Sequence, residues 1–422
     1  MALLTAVTAS PQAAVAATTP PPTPGTTTTS GGKPTTRTPT LPVPRNTVVP
    51  ELAVGGEKLA STGVVTDLPA GVPAPPALKD VSWVLADLDT GDVVAAKAPH
   101  ARLLPASTLK TLTALTLIPK VPSTTVIKAT PEDAAADGTR VGLVPGLPYT
   151  GKQLFQALLM SSGNDAAYAL AGAGGGRDQV LAEMNAVAAN LGAHDTVAKD
   201  PSGLDAPGQT SSAYDLALIG RAALQLKDFR AYVTTKQAVF PGTLNAKTKK
   251  RGTYKISNHN TLLYNYPGTI GVKNGYTQAA HRTFISAVTR GGKTYLLSEM
   301  YGLDNSWRPQ AAMYDWAFKY GATARPVGRL VDPGEVPTAP KPTPTATPTA
   351  PAAPEPAGPL GAAGAAVVPR HTDSSSPVTL TWKVHPAWLA APAGALALLA
   401  LWFAAWRSRR RRHRGRHRLS GA

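Results

Sequence analysis

The stretch Pro105–Lys120 begins PASTLK and places a lysine three residues after a serine. If a helix begins near Ser107, the side chains of Ser107 and Lys110 lie on one face and reach each other. A serine hydroxyl becomes a useful nucleophile only when a base takes its proton, and a neutral lysine amine is such a base. The spacing therefore predicts acyl transfer by a serine–lysine pair. The isolated motif also suits a helix-capping serine followed by a surface lysine.

Other routes to hydrolysis are not indicated by the sequence. It contains no cysteine, which excludes a cysteine nucleophile, cysteine metal ligands and disulfide bonds. Neither the G-x-S-x-G turn of serine–histidine hydrolases nor the H-E-x-x-H zinc motif occurs in it. We therefore expect a reaction that uses no metal and no cofactor.

Two further motifs follow the serine–lysine pair along the chain. Ser161–Asp165 reads SSGND between two helical patterns, and Val272–Thr277 reads VKNGYT in a predicted edge strand. The order S-x-x-K, S-x-N, K-x-G is that of the active-site serine penicillin-binding proteins and β-lactamases. With the flanking stretches SSGNDAAYAL, DPSGLD and ISNHNTLL, the sequence over roughly Val81–Tyr301 resembles the D-alanyl-D-alanine carboxypeptidases among the low-molecular-mass penicillin-binding proteins, peptidase family S11.

The resemblance implies a serine-type D-Ala-D-Ala carboxypeptidase. Such an enzyme removes the terminal D-alanine from peptidoglycan stem pentapeptides through an acyl-enzyme and is inhibited by β-lactams. Ser107 would be the nucleophile and Lys110 its base. Ser162 and Lys273 would relay or polarise the proton that reaches the departing D-alanine, and Asn164 would hold the substrate amide.

The resemblance also places substrate contacts on the strand that carries Lys273. The Lys273 ammonium would attract the terminal carboxylate of the substrate and help to keep Lys110 neutral. Asn274, Gly275 and Thr277 would bind the substrate beside it.

The backbone N–H groups of Ser107 and Tyr276 would form the oxyanion hole, in which each donor contributes about 10²–10³ in rate. Asn274 departs from the family pattern, because the family usually has a threonine or serine there whose hydroxyl contacts the substrate carboxylate. An asparagine amide also donates hydrogen bonds but has a different length.

Two alternatives to a carboxypeptidase remain. One is a β-lactamase on the same scaffold, disfavoured by Gly163 and by the lack of an obvious deacylating glutamate; the other is a catalytically silent wall-binding protein.

The elements that must position these residues follow from periodicity. Trp83–Asp89 and Asp92–Lys97 flank Thr90-Gly91 and predict a β-hairpin. Further helical patterns cover Gly151–Met160, Asp165–Ala171, Asp178–Leu191, Ala213–Leu226 and Pro309–Tyr320, and strand patterns cover Gly271–Tyr276, Thr283–Val288 and Lys293–Met300. Strands at both ends with helices between them predict an α+β fold in which the terminal segments share one sheet and a helical region is inserted between them. The resemblance implies that this fold is of the serine β-lactamase/DD-peptidase kind, an antiparallel sheet flanked by helices.

The net charge of +17 is that of many nucleic-acid-binding proteins, but eight arginines lie in the last sixteen residues. They follow Pro386–Trp406, a stretch of 21 residues without a charge, which as a helix would be about 31 Å long. We therefore predict a C-terminal transmembrane helix that crosses the cell membrane once. The arginines would then lie in the cytoplasm and the catalytic domain outside the cell. A buried core helix is the alternative, and no nucleic-acid partner is expected.

The chain is thus predicted to divide into six parts. They are a signal-like segment (1–17), a Thr/Pro-rich disordered segment (18–50), the carboxypeptidase domain (51–330), a Pro/Thr/Ala-rich stalk (331–385), the transmembrane helix (386–406) and the Arg-rich cytoplasmic tail (407–422). The predicted partners are the peptidoglycan stem peptide, β-lactam antibiotics and the membrane.

Overall fold

The computed structural model of the protein describes residues 48–335. Its strands are β1 (Val64–Thr66), β2 (Asp80–Asp87), β3 (Asp92–Lys97), β4 (Val126–Lys128), β5 (Pro148–Thr150), β6 (Gln237–Leu244), β7 (Arg251–Ser257), β8 (Thr269–Thr277), β9 (His281–Arg290), β10 (Lys293–Gly302) and β11 (Gly328–Arg329). Its α-helices are α1 (Lys110–Leu117), α2 (Pro131–Ala134), α3 (Gly151–Met160), α4 (Asn164–Ala173), α5 (Arg177–Asn190), α6 (Ala213–Ala223), α7 (Lys227–Thr234), α8 (Leu262–Asn265) and α9 (Arg308–Tyr320).

The main sheet joins strands from the two ends of the described chain. Its order is β1-β3-β2-β10-β9-β8, with β11 beside β3, and every pair in it is antiparallel. Helices α1–α7 lie between β3 and β8 along the chain. The predicted α+β fold with an antiparallel sheet and helices is therefore confirmed, and β8 lies at an edge of the sheet, where the strand carrying Lys273 was expected.

The two faces of the sheet pack into separate hydrophobic cores. Side chains alternate between the faces of a strand, and in β2 this sends Val84 to one core and Leu85 to the other. The neighbouring strand β10 divides in the same way, with Leu296 in the first core and Leu297 in the second. The first core is shared with α1 and α3–α7, and the second with α8 and α9. Helices on both faces therefore hold the sheet, and α1 in particular is fixed by its buried leucines.

The small hairpin formed by β6 and β7 was not predicted from the sequence. Phe240, Pro241 and Ile256 are its buried residues, whereas most of its other residues are exposed. Pro241 lies inside β6, and a proline within a run argues against a strand in the middle of a sheet. The structure accommodates it because this hairpin is a separate two-stranded sheet.

Several predicted segments lie outside the described residues. These are the signal-like segment, most of the Thr/Pro-rich segment, the transmembrane helix, the Arg-rich tail and all of the stalk after residue 335. The first stalk residues do pack on the domain, since Val331 is buried and Gly334 N donates to Asn190 O. Within residues 48–335, every helix is too short or too polar to cross a bilayer.

Candidate active site

Ser107 lies in the one-turn 3-10 helix Ala106–Leu109 that leads into α1. As an early residue of a helix, it has a backbone N–H that no intrahelical carbonyl accepts. Ala106 before it has a φ of +47°, a left-handed conformation that is uncommon for any residue but glycine. This strained entry is held in place from outside, because Gly203 packs so closely on the Ala106 carbonyl that a Cβ at Gly203 would overlap it.

The Lys110 amine has three oxygen neighbours. Its Nζ lies 2.9 Å from Ser107 Oγ, 2.6 Å from Asn164 Oδ1 and 2.5 Å from Ser202 O. The last two oxygens can only accept hydrogen bonds. A neutral amine has two N–H groups and one lone pair, so when both N–H groups donate to Asn164 and Ser202 the lone pair faces the Ser107 hydroxyl. The geometry is that of a base in contact with its nucleophile.

Electrostatics favour the neutral amine that this geometry requires. Burial lowers the pKa of Lys110 well below its ordinary value, and the positive charge of Lys273 lowers it further. Asp200 and Asp165 act in the opposite direction and are smaller causes. Burial also lowers the pKa of Lys273, to about 7. Both buried lysines therefore lose a proton more readily than an exposed lysine, and Lys110 is the one whose amine contacts the Ser107 hydroxyl.

Asn164 is the first residue of α4 and is held from both sides. Its Nδ2 donates to Asp137 O over 2.6 Å, which fixes Oδ1 toward Lys110. The neighbouring Asp165 accepts hydrogen bonds from the backbone N–H groups of Val141, Gly142 and Leu143, which fastens the 141–143 segment to the start of α4.

Ser162 lies two residues before Asn164 and is buried, with a φ of +60°. The left-handed conformation at this turn is maintained by the packing around it rather than by local preference. Among residues 48–335, no partner for the Ser162 hydroxyl lies within hydrogen-bonding distance, whereas its neighbour Ser161 donates to Ser257 O over 3.0 Å. The Ser162 hydroxyl is thus available to a substrate, and its proposed relay with Lys273 remains a prediction.

The DPSGLD loop contributes a contact that the sequence analysis did not assign. The Ser202 carbonyl accepts from Lys110, and the loop is shaped by Asp200, whose Oδ1 accepts from Ser202 N over 2.7 Å and also binds the Ser202 hydroxyl. Asp200 Oδ2 accepts from Tyr168 of α4 over 2.8 Å. Because every residue has a backbone carbonyl, the residue pattern could not indicate this contact. The signal that the sequence offered was the resemblance of the whole DPSGLD loop to the family.

Strand β8 brings Lys273 and Gly275 to the other side of Ser107. Lys273 is fully buried and its Nζ donates to Asn274 O over 2.6 Å. Gly275 is so close to the helix start that a Cβ there would lie 2.7 Å from Ser107 N and 2.5 Å from Thr283 Oγ1. The glycine lets the strand approach Ser107, and Tyr276, the second predicted oxyanion donor, is the next residue of the strand.

A Gly275→Ala variant is therefore expected to lose activity. Real Cβ atoms do not come within 3.0 Å of such neighbours, so the edge strand or the turn at Ser107 must shift. A displacement of this size at reacting atoms costs about 10²-fold in rate. The measurement is the rate of acylation of Ser107 by a chromogenic β-lactam. Gly252→Ala, in a strand of the β6–β7 hairpin where the nearest contact is an ordinary 3.7 Å, is the matched control. Equal rates for both variants would contradict the close approach.

A groove continues from β8 away from Ser107. It has a volume of about 180 Å³, and Asn274, Gly275, Tyr276, His259 and Trp307 are among its lining residues. Burial and Lys273 lower the pKa of His259, so its imidazole tends to be neutral there.

Thr277 has a contact of a different kind. Its hydroxyl donates to Asp205 Oδ1 over 3.0 Å and accepts from Ala280 N. It therefore connects the end of β8 to the DPSGLD loop, and its predicted contact with substrate remains a prediction.

One group of side chains in the described residues has the spacing of metal ligands: His100, Asp195 and Asp215, all buried. Both ring nitrogens of His100 already have partners, Asp195 Oδ2 at 2.8 Å and Val54 O at 3.0 Å. Thr196 donates to Asp215 Oδ2. The group is explained as a structural hydrogen-bond network.

Residues 70–300 match the family of D-alanyl-D-alanine carboxypeptidases, S11 peptidases. The chain belongs to this family. It is similar to the D-alanyl-D-alanine carboxypeptidase DacB2 of Mycobacterium tuberculosis, with 42% identity over 256 residues that cover 59% of this chain and 85% of the relative. It is also similar to DacF of Bacillus subtilis, with 30% identity, covering 56% of this chain and 61% of that one.

Solved structures agree with this placement in the S11 family. The crystal structure of a D-alanyl-D-alanine carboxypeptidase from M. tuberculosis H37Rv superposes with a TM-score of 0.58 at 40% identity, covering 62% of this chain and 99% of that one. The DD-transpeptidase of Streptomyces K15 gives a TM-score of 0.53 at 27% identity, covering 59% and 99%. The predicted S11 resemblance is confirmed, and the protein is a hydrolase of this family.

Proposed function

We propose that this S11 enzyme removes the terminal D-alanine from peptidoglycan stem pentapeptides through an acyl-enzyme on Ser107, and that β-lactams inhibit it by acylating the same hydroxyl. The observation that carries the proposal is the arrangement around Lys110. Asn164 Oδ1 and Ser202 O accept hydrogen bonds from its two N–H groups, and its lone pair then faces Ser107 Oγ.

The first half of the reaction forms the acyl-enzyme. Ser107 Oγ attacks the carbonyl carbon between the two D-alanines while its proton passes to Lys110 Nζ. The oxyanion that develops is stabilised by the backbone N–H groups of Ser107 and Tyr276. The C–N bond then breaks, and the amine of the departing D-alanine takes up, by way of Ser162, the proton that Lys110 received, with Lys273 polarising that route. Lys110 is neutral again.

The second half releases the shortened peptide. A water molecule attacks the acyl carbon and gives a proton to Lys110, the bond to Ser107 Oγ breaks, and the serine regains its proton. Lys273 and Asn274 bind the substrate carboxylate during acylation. The carboxamide of Asn274 takes the place of a threonine or serine hydroxyl.

The pH dependence of acylation follows from the two lysines. Lys110 acts only when neutral, so kcat/KM rises as the pH rises through its lowered pKa. Lys273 attracts a carboxylate only when protonated, so kcat/KM falls as the pH rises through about 7. We expect a bell-shaped profile of kcat/KM for D-alanine release, and in a Lys273→Arg variant the alkaline limb moves to higher pH. A rate that still rises above about pH 9 would show that Lys110 titrates like an exposed lysine.

The direct test of the function is release of free D-alanine from a soluble pentapeptide that ends in D-Ala-D-Ala, measured with the purified protein. Benzylpenicillin added beforehand is expected to abolish the release. A matched peptide that ends in L-Ala-L-Ala is the control. Failure to release D-alanine under conditions where the protein is folded would overturn the proposal.

We also propose that the enzyme is held at the outer face of the cell membrane by residues 386–406, with residues 407–422 in the cytoplasm. The support is the uncharged 21-residue stretch followed by eight arginines. The chain has no cysteine, so single cysteines introduced at Ser408 and at Ser61 report their side of the membrane by labelling intact cells. Labelling of Ser61→Cys but not of Ser408→Cys by an impermeant maleimide is expected, and the reverse would contradict the orientation.

A further inference from the structure

The β6–β7 hairpin with the residue before it, residues 236–257, is called the basic hairpin here. Its charged residues are all basic: Lys236, Lys247, Lys249, Lys250, Arg251 and Lys255. Residues 48–335 contain 28 lysines and arginines against 23 aspartates and glutamates. Without the six residues of the basic hairpin, the described chain has 22 basic and 23 acidic residues. The whole positive surplus of the described chain therefore lies on this one hairpin.

Most charges of the basic hairpin have no partner among the described residues. All five of its lysines are exposed, and none of them forms an ion pair with a residue in 48–335. Arg251 is different, because its guanidinium lies 4.4 Å from the centre of the Tyr149 ring and donates to Pro148 O. Lys236 lies 5.5 Å from the centre of the Tyr264 ring. Arg251 and Lys236 thus contact the domain, and the other four lysines are left to the solvent.

The basic hairpin is fixed at the edge of the active site. Strand β7 ends at Ser257, whose carbonyl accepts from Ser161, the neighbour of Ser162. The chain then continues directly to His259, which lines the groove beside Asn274. Tyr254 on β7 donates to Val141 O, in the segment that Asp165 fastens to α4. A ligand that extends from the active site along β7 therefore meets Lys255 first and the lysines of the tip at the far end of the strand.

We propose that the basic hairpin binds the carboxylate-bearing glycopeptide polymer of which the stem peptide is a part, outside the active site. The inference rests on the proposed function, because that function supplies the polymer. An eight-residue strand is about 26 Å long, so the lysines can contact several carboxylates of one polymer. Lysine ammonium groups on flexible stems suit a diffuse polyanion rather than one fixed anion.

A membrane surface is the alternative ligand of the basic hairpin, and the structure favours it less than the polymer. The tip of the hairpin, Asn245–Lys250, reads NAKTKK and has no aromatic or large apolar side chain to insert among lipids. The exposed large apolar side chains of the hairpin, Val239, Leu244 and Tyr254, lie on its strands rather than at the tip.

The test compares a tip variant, Lys247→Gln with Lys249→Gln and Lys250→Gln, with a control in which the exposed Lys79, Lys227 and Lys319 are changed to Gln. Both are made in the full chain with Ser107→Ala, so that bound polymer is not processed, and both are sedimented with purified insoluble peptidoglycan. Three surface charges together change binding by about tenfold. We expect the tip variant to bind about tenfold more weakly than the control. We also expect the binding of the control to weaken as salt rises from about 0.05 M to 0.5 M.

With Ser107 restored, both variants are assayed on the soluble pentapeptide, which reaches only the active site. Equal D-alanine release is expected, because the tip lysines do not contact Ser107 or Lys110. Equal sedimentation of the tip variant and the control overturns the inference. Loss of binding to anionic lipid vesicles with unchanged peptidoglycan binding also overturns it, in favour of a membrane contact. Absence of pentapeptide hydrolysis in the unsubstituted protein instead refutes the proposed function. The hydrolysis assay does not depend on the sedimentation assay, so the two failures can be distinguished.

Discussion

Replacement of Ser107 by alanine is expected to abolish covalent labelling by benzylpenicillin and to reduce D-alanine release from a pentapeptide by at least about 10⁴-fold. The reason is that, among residues 48–335, Ser107 supplies the one hydroxyl that is hydrogen-bonded to the Lys110 amine. The hydroxyl of Ser161, which precedes Ser162 in the chain, instead donates a hydrogen bond to Ser257 O. The measurements are gel or mass detection of the penicillin adduct and the initial rate of release.

The fold of the Ser107→Ala variant is expected to be intact. The Ser107 hydroxyl has one hydrogen-bond partner among the described side chains, Lys110, so its removal leaves the core unchanged. The melting temperature reports this. Ser61→Ala is the matched control, because the Ser61 hydroxyl contacts only Gly63 in a surface turn. Retained labelling in Ser107→Ala would assign the nucleophile to another residue.

A Lys110→Met variant is expected to be acylated about 10³-fold more slowly than the unsubstituted protein. Positioned proton transfer typically contributes 10²–10⁴-fold, and methionine fills a similar volume without a base. The loss is expected in the acylation rate constant measured with penicillin in excess. Asn164 Oδ1 and Ser202 O lose their donor, so we expect a reduction in stability of about 1–3 kcal/mol as well.

A second variant separates chemistry from stability at this position. Lys110→Arg keeps hydrogen-bond donors for Asn164 and Ser202, but a guanidinium stays protonated and has no lone pair to offer Ser107. It is expected to be as inactive as Lys110→Met. Recovery of acylation in Lys110→Arg would mean that Lys110 positions the site through its charge rather than by taking the proton.

The sequence predicted the elements that periodicity or turn residues mark. The Thr90-Gly91 hairpin and β8–β10 lie where they were expected, and α3 and α9 lie within one residue of their predicted bounds. Their side chains are patterned because a core takes one face of each. The helix predicted near Ser107 also formed, although its first turn is a 3-10 helix rather than an α-helix.

The missed elements differ in what their residues show. Strands β6 and β7 expose most of their residues and contain Pro241, so neither alternation nor propensity indicated them. Their structure is set by contacts with the rest of the domain, which a local pattern does not contain. Helix α7 does bury Phe229, Tyr232 and Val233 at helical spacing, but over only eight residues, and the sequence analysis did not assign this short pattern.

In the candidate site, the sequence predicted the side chains but not the backbone groups. Ser107, Lys110 and Asn164 were predicted from their types and order, and the structure brings their side chains together. The Ser202 carbonyl was not, because any residue has one and only the path of the DPSGLD loop brings it to Lys110. The role of Gly275 as a close-approach residue likewise needed coordinates.

The most direct test of the account is the intact mass of the protein after exposure to benzylpenicillin, followed by peptide mapping of the adduct. The account predicts an increase by the mass of one penicillin, carried by the peptide that contains Ser107 and absent in Ser107→Ala. An unmodified protein that is shown to be folded, or an adduct mapped to a different serine such as Ser162, would contradict it.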